Sequence, residues 1–93
     1  MMKIDTRNAG GRLVIQVEGR LIGAYVPELE RCWQAARAER PDRAILLDLK
    51  NVTCVDWGGR RLLQSMHDGG VEFVGAGLAT QDILDQLTPP AAR

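Results

Sequence analysis

Apolar and polar positions switch between strand and helix period five times along the chain, and each switch marks the start of a new predicted element. Leu13, Ile15 and Val17 alternate with Val14, Gln16 and Glu18 in a segment rich in β-branched residues, which predicts a strand. Met2 to Thr6 reads as a short edge strand before it. Between them, Asn8-Ala9-Gly10-Gly11 supplies glycines that accept the positive φ of a tight reversal, so an antiparallel hairpin is expected. Gly19 is expected to end the second strand, with Leu21-Ile22-Gly23 leading into a helix. From Tyr25 to about Arg40 the apolar positions Val26, Leu29, Trp33 and Ala36 recur at three- and four-residue steps, one face of a helix. Pro27 falls in its first turn, where the missing N–H is not needed, whereas in a helix middle it would cost about 3 kcal/mol.

Residues 43–61, RAILLDLKNVTCVDWGGRR, organise the rest. Ala44 to Leu49 is an apolar run broken only by Asp48, the pattern of a strand covered on both faces. Asn51 to Val55 carries it to Asp56, the chain turns at Trp57-Gly58-Gly59, and a helix from about Gly58 to His67 presents Leu62, Leu63 and Met66 to a core. Asp68-Gly69-Gly70 ends that helix and a strand from Val71 to Val74 follows. After the turn Gly75-Ala76-Gly77 comes a last helix, with Thr80 as its cap, Asp82 in its first turn, and Ile83, Leu84 and Leu87 on its buried face. The order β-β-α-β-α-β-α predicts an α/β fold: a mixed sheet with an N-terminal antiparallel hairpin and helices packed on it. One domain over residues 1–88 and a disordered tail over 89–93, containing Pro89-Pro90, are expected.

Composition narrows the function. At 93 residues, 45% hydrophobic and 26% charged, the chain has material for one small core. Twelve basic and twelve acidic residues leave a formal net charge of +0, so no overall field draws in nucleic acid or an anionic membrane. No apolar segment has signal-peptide character or approaches the ~20 residues needed to span a bilayer, which predicts a cytoplasmic protein without membrane insertion. Cys32 and Cys54 lie in a helix and a strand without CxxC spacing, and are expected to be reduced, packing cysteines.

The junction at Asp56 is the candidate site, because a strand end meeting a helix start exposes free backbone N–H groups and the positive helix end. The candidate partner-binding residues are Asp56, Trp57, Gly58, Gly59, Arg60 and Arg61. Each also has a purely structural reading. Asp56 is suited to capping the helix, Trp57 to packing in the core, and the two glycines to sterically permitting the turn. Arg60 and Arg61 stand in a first turn where the dipole disfavours positive charge, which leaves either solvation or pairing with acidic groups on a partner. Catalytic chemistry is poorly represented: His67 and Ser65 are two residues apart on a helix, so their side chains diverge by ~200°. No metal-ligand spacing is present, and neither metal nor cofactor is expected. Gly75-Ala76-Gly77 begins a GxGxxG pattern, but Thr80 takes the third glycine position and the acidic residue ~20 positions on has no place in the chain. A non-enzymatic role follows.

With this order in view, the LDLKNVTCVD passage, Gly59, the Gly-Gly turn, the strand running into VEFVGA and the Gly19-Arg20-Leu21 step resemble the STAS domain family, named for sulfate transporters and anti-sigma factor antagonists. The resemblance covers most of the chain. It implies a STAS-like (SpoIIAA-like) fold and a bacterial protein–protein interaction module. In the antagonists, the strand-ending acid is followed by Ser, then Ser or Thr, then Gly, and a partner kinase phosphorylates a hydroxyl there. Carried across, the acid is Asp56 and the glycine Gly59, while the hydroxyl positions fall on Trp57 and Gly58. Neither carries an oxygen, so no phosphate can be added at that place. Thr53 lies three residues earlier, on the strand.

Two further departures concern length. Residues 57–68 leave a helix shorter than the family pattern by about one and a half turns, and the chain stops soon after Leu87, where relatives often add a strand and a helix. The implied partner is an anti-sigma kinase-like protein or the ATPase subunit of an ABC-type transport system. Alternative readings are a small-ligand sensor, or a remnant that forms a homodimer through its hairpin edge or Trp57.

Overall fold

Two glycines set the first reversal. The computed structural model, which describes residues 1–75 and 77–85, places Gly10 at φ 60° and Gly11 at φ 82°. Both central residues of a two-residue hairpin turn of this twist need positive φ, and glycine takes it without steric penalty. Because the turn is that tight, β1 (Met2–Ala9) extends beyond the expected Thr6 and pairs antiparallel with β2 (Arg12–Leu21) from Met2↔Gly19 to Ala9↔Arg12. The remaining elements follow the expected order: α1 (Tyr25–Glu39), β3 (Ile45–Val55), α2 (Trp57–Asp68), β4 (Glu72–Val74) and α3 (Leu78–Asp85). They build a four-stranded mixed sheet ordered β1-β2-β3-β4, in which β2–β3 and β3–β4 are parallel.

One face of the sheet carries the core. Ile15 and Val17 of β2, Leu47 and Leu49 of β3, Leu29 and Trp33 of α1, Leu63 and Met66 of α2 and Ile83 of α3 are buried together. α2 extends one residue beyond the expected Gly58 to His67 at each end, so that Trp57-Gly58-Gly59 form its first turn and not a separate reversal, and its apolar stripe of Leu62, Leu63 and Met66 is buried as expected. Pro27 lies in the first turn of α1.

Four local expectations are corrected. β3 is not covered on both faces: Ile45, Leu47, Leu49 and Val52 are buried, while Leu46 and Asp48 are half-buried and Lys50 and Asn51 exposed. A pairing irregularity between β2 and β3 near Leu49 to Asn51 lets Leu49 and Val52 point to the same side, and the Lys50 N–H released there donates to the Asp48 carboxylate at 2.9 Å. Gly19 does not end β2. At φ 97° it is an irregularity within the strand, packed so closely on the Met1 carbonyl that a Cβ would collide, and Arg20 N–H donates to that carbonyl at 3.1 Å. Helix α3 starts at Leu78, with Gln81 N–H donating to the Gly77 carbonyl at 2.9 Å. Thr80 is therefore inside the helix rather than its cap, and Asp82 lies beyond its first turn. Cys54 is exposed rather than packed, whereas Cys32 is half-buried against the core, and burial pushes its thiol up; both are free thiols. Leu87 and the tail lie outside the described residues.

Leu47 is fully buried at the centre of the sheet, so Leu47→Ala is expected to lower the unfolding free energy by about 2–5 kcal/mol. Urea titration followed by far-UV circular dichroism measures this, and a loss below about 1 kcal/mol would contradict the core assignment.

Candidate functional site

A single residue makes the passage from β3 to α2. Asp56 has an extended backbone, φ −90° and ψ −173°, as an N-cap requires, and its N–H donates to the Leu21 carbonyl at 3.3 Å. Its Oδ1 accepts the N–H of Gly59 at 2.8 Å, satisfying one of the free donors in the first turn of α2. Its Oδ2 accepts the N–H of Gly23 at 2.8 Å, 33 residues earlier in the chain. One carboxylate thus ties the end of β3, the start of α2 and the β2–α1 loop together. The backbone donors at Gly23 and Gly59 hold the Asp56 carboxyl below the usual carboxylate range, against a smaller opposing effect of desolvation.

The two glycines that follow differ in kind. A Cβ on buried Gly59 would lie 2.6 Å from the Leu21 carbonyl oxygen and 2.7 Å from Val55 Cγ1, so the crossing of α2 over the β2 end requires glycine there. At Gly58 the nearest atoms would be Asp56 Oδ1 at 3.5 Å and Val26 Cγ2 at 3.9 Å, which are ordinary contacts. Steric permission therefore explains Gly59 and not Gly58. Gly58 instead leaves a low place on the surface, at one end of a groove between α1 and α2.

Around that low place the side chains are open to solvent. Trp57 is 77% exposed, which removes the core-packing reading. The Arg60 guanidinium lies over its ring, 5.2 Å from the centroid, a cation–π arrangement that orients both groups. Arg61 is exposed and lines the groove of about 370 Å³ together with Val26 and Glu30 of α1 and Gly58, Leu62 and Ser65 of α2. Five of the six candidate residues, Asp56, Trp57, Gly58, Arg60 and Arg61, thus lie along one surface from cap to first helical turn, and Gly59 is buried beneath it. Gly23, Val26 and Glu30 join it from distant positions in the chain and carry no local signal of doing so.

Other chemistry-bearing residues lie elsewhere. The Thr53 hydroxyl donates to the Gly19 carbonyl at 3.2 Å. The His67 ring stacks on Phe73 of β4, with centroids 6.1 Å apart and planes 22° apart, near the far end of α2. Among the described residues no three His, Cys, Asp or Glu side chains are grouped to hold a metal ion, and no helix is long and apolar enough to cross a membrane.

No protein-family model and no curated protein matches the sequence. Among solved structures, the chain is similar to an anti-sigma factor antagonist from Mycobacterium paratuberculosis, with a TM-score of 0.80 and 23% identity over 91% of this chain and 76% of that one. It is also similar to an uncharacterised protein from Shewanella loihica with a SpoIIAA-like fold, with a TM-score of 0.61 and 13% identity over 96% of this chain and 80% of that one. The fold is therefore the SpoIIAA-like one expected from the sequence.

Two outcomes follow from the geometry. Gly59→Ala is expected to cost about 1–3 kcal/mol through overlap with Leu21 and Val55, whereas Gly58→Ala should be neutral or gain up to about 1 kcal/mol from helix propensity. Urea unfolding distinguishes them, and equal effects would contradict the assignment. Because the folded Asp56 carboxyl is shifted downward, its contribution is fully present above the unfolded carboxylate range and is lost as pH falls through the folded value. Between about pH 5 and pH 2 wild-type stability should therefore drop more steeply than that of Asp56→Asn; parallel curves would exclude the carboxylate clamp.

Proposed function

We propose that this chain is a small regulatory module that docks on a protein partner through the surface from Asp56 to Arg61, without receiving a phosphoryl group there. The observation that carries this reading is the exposure of Trp57 at a helix start where a large aromatic gains nothing by facing water. Tryptophan and arginine are the residue types most enriched among interface hot spots, and here they are preassembled as a stacked pair. Holding that pair on a capped helix, rather than on a loop, lowers the ordering cost of binding.

The likeness to an anti-sigma factor antagonist supports a protein partner of the regulatory kind. The absence of any side-chain oxygen at Trp57 and Gly58 supports docking in place of a phosphorylation switch at those positions. Bulk at Trp57 and open space at Gly58 reverse the relief that two hydroxyl side chains would give. A partner for this surface therefore needs a recess for an indole, a projection that reaches towards Gly58, and acidic groups for Arg60 and Arg61.

Affinity capture from the source cell, using wild type beside Trp57→Ala and a paired Arg60→Glu, Arg61→Glu variant, tests the proposal. One protein should be retained by wild type and bound at least tenfold more weakly, about 1.4 kcal/mol, by each variant, with unchanged circular dichroism. An anti-sigma kinase-like protein would assign the module to transcriptional control, and a transport ATPase to transport. Equal retention by wild type and variants would exclude this surface.

A further inference from the structure

At the other end of the parallel strands, about 30 Å along β3 from Asp56, lies a small cleft with a different chemistry. It has a volume of about 130 Å³ and is walled by Trp33 and Arg37 of α1, Pro41, Arg43 and Ala44 of the following loop, Ile45 of β3, and the Gly69-Gly70-Val71 turn. Every polar side chain in that wall is a hydrogen-bond donor that cannot accept. Two of the donors are stranded. Trp33 is only 3% exposed and its Nε1–H has no partner; the Arg43 side chain is 8% exposed and its Nε–H has none either. A buried donor left unpaired is destabilising, so two of them on residues that wall one cleft mark a place suited to an acceptor.

Charge narrows the acceptor. Arg43 also donates from Nη1 to Asn8 Oδ1 at 3.1 Å, and its Nη2 lies 3.6 Å from Glu39 Oε1, a carboxylate that is 74% exposed and screened by water. Arg37 stacks over the Trp33 ring at 4.9 Å from its centroid, and among the described residues no carboxylate pairs with it. The C-terminal ends of α1 and α2 both point towards this region and would oppose an anion. At α2, however, the carbonyls of Ser65, Met66 and His67 already accept the N–H groups of Gly69, Val71 and Gly70. Two guanidiniums against partly neutralised helix ends favour a singly charged acceptor over a dianion. Gly69 keeps the entrance close, since a Cβ there would lie 2.9 Å from Trp33 Cζ2.

We propose that this cleft binds a single carboxylate group, held by Arg37 and Arg43 and by the Trp33 indole N–H. The proposal is independent of the docking surface at Asp56 to Arg61. Neither stranded atom is exposed at the cleft surface, so binding includes small movements of both the Arg43 side chain and the Trp33 ring that bring Nε–H and Nε1–H to the ligand.

The chain contains two tryptophans, so ¹⁵N–¹H spectra of the whole protein show two indole N–H signals, and a Trp57→Phe variant assigns them. Sodium acetate is titrated against sodium chloride at equal ionic strength, with inorganic phosphate as the dianion control. The Trp33 signal should move saturably with acetate and not with chloride, and binding should weaken at least tenfold in Arg37→Gln and in Arg43→Gln. Arg37 is exposed on α1, so its variant keeps the test valid if Arg43→Gln fails to fold. Tri-alanine with a free or an amidated C terminus separates the sources. Tighter binding of the free form than of acetate points to a polypeptide terminus, and the reverse to a small free acid. A Trp33 signal that does not saturate with either carboxylate, moves equally with chloride, or responds more tightly to phosphate overturns the proposal.

Discussion

The arrangement of the proposed docking surface depends on one carboxylate. Asp56 spends one oxygen on the first turn of α2 and the other on the loop entering α1, each at 2.8 Å. The first bond fixes where α2 begins; the second fixes where α1 begins relative to it. Without the first, α2 would keep an unpaired donor at its start; without the second, the groove between the helices would lose its hinge point. Gly59 makes the same junction possible from the steric side, since α2 crosses the Leu21 carbonyl too closely for any Cβ. Trp57 and Gly58 stand between these two fixed residues, so their positions on the surface are set by a clamp they do not themselves form.

This separation of roles accounts for a surface that departs from the resembled pattern within an intact fold. Asp56 and Gly59, which hold the crossing, match the STAS pattern, and Trp57 and Gly58, which face solvent, do not. The scaffold tolerates change at 57 and 58 because neither side chain position is packed. A small domain with one buried sheet face has little stability to spare, and a substitution at an exposed position leaves the packing of Leu47, Leu49 and Leu63 untouched.

Much of the fold was legible from periodicity. The helix stripes of Leu29, Trp33 and Ala36 and of Leu62, Leu63 and Met66 are buried as their spacing implies, and the Gly10-Gly11 reversal takes the positive φ values that only glycine accepts readily. What escaped were features decided by distant partners. Gly19 reads locally as a strand end, yet Met1 packs against it and holds it within β2. The apolar run at Ala44 to Leu49 suggests burial on both sides, but Leu46 is only half-covered. At the site, capping by Asp56 was readable because Gly59 is three residues away. The bond to Gly23 was not, and neither were Val26 and Glu30 as the opposite wall of the groove, because these depend on how α1 lies beside α2. The stranded donors of Trp33 and Arg43 are likewise invisible until the loop, helix and turn are brought together.

The most direct test of the docking surface is a footprint of the bound partner on the ¹⁵N-labelled chain by NMR. The indole N–H of Trp57, the amides from Asp56 to Arg61 and those of α1 around Val26 and Glu30 should shift or broaden together, with the hairpin and the Trp33 cleft unchanged. A footprint confined to β1, or to the outer face of the sheet, would contradict the assignment of Asp56 to Arg61 as the interaction surface.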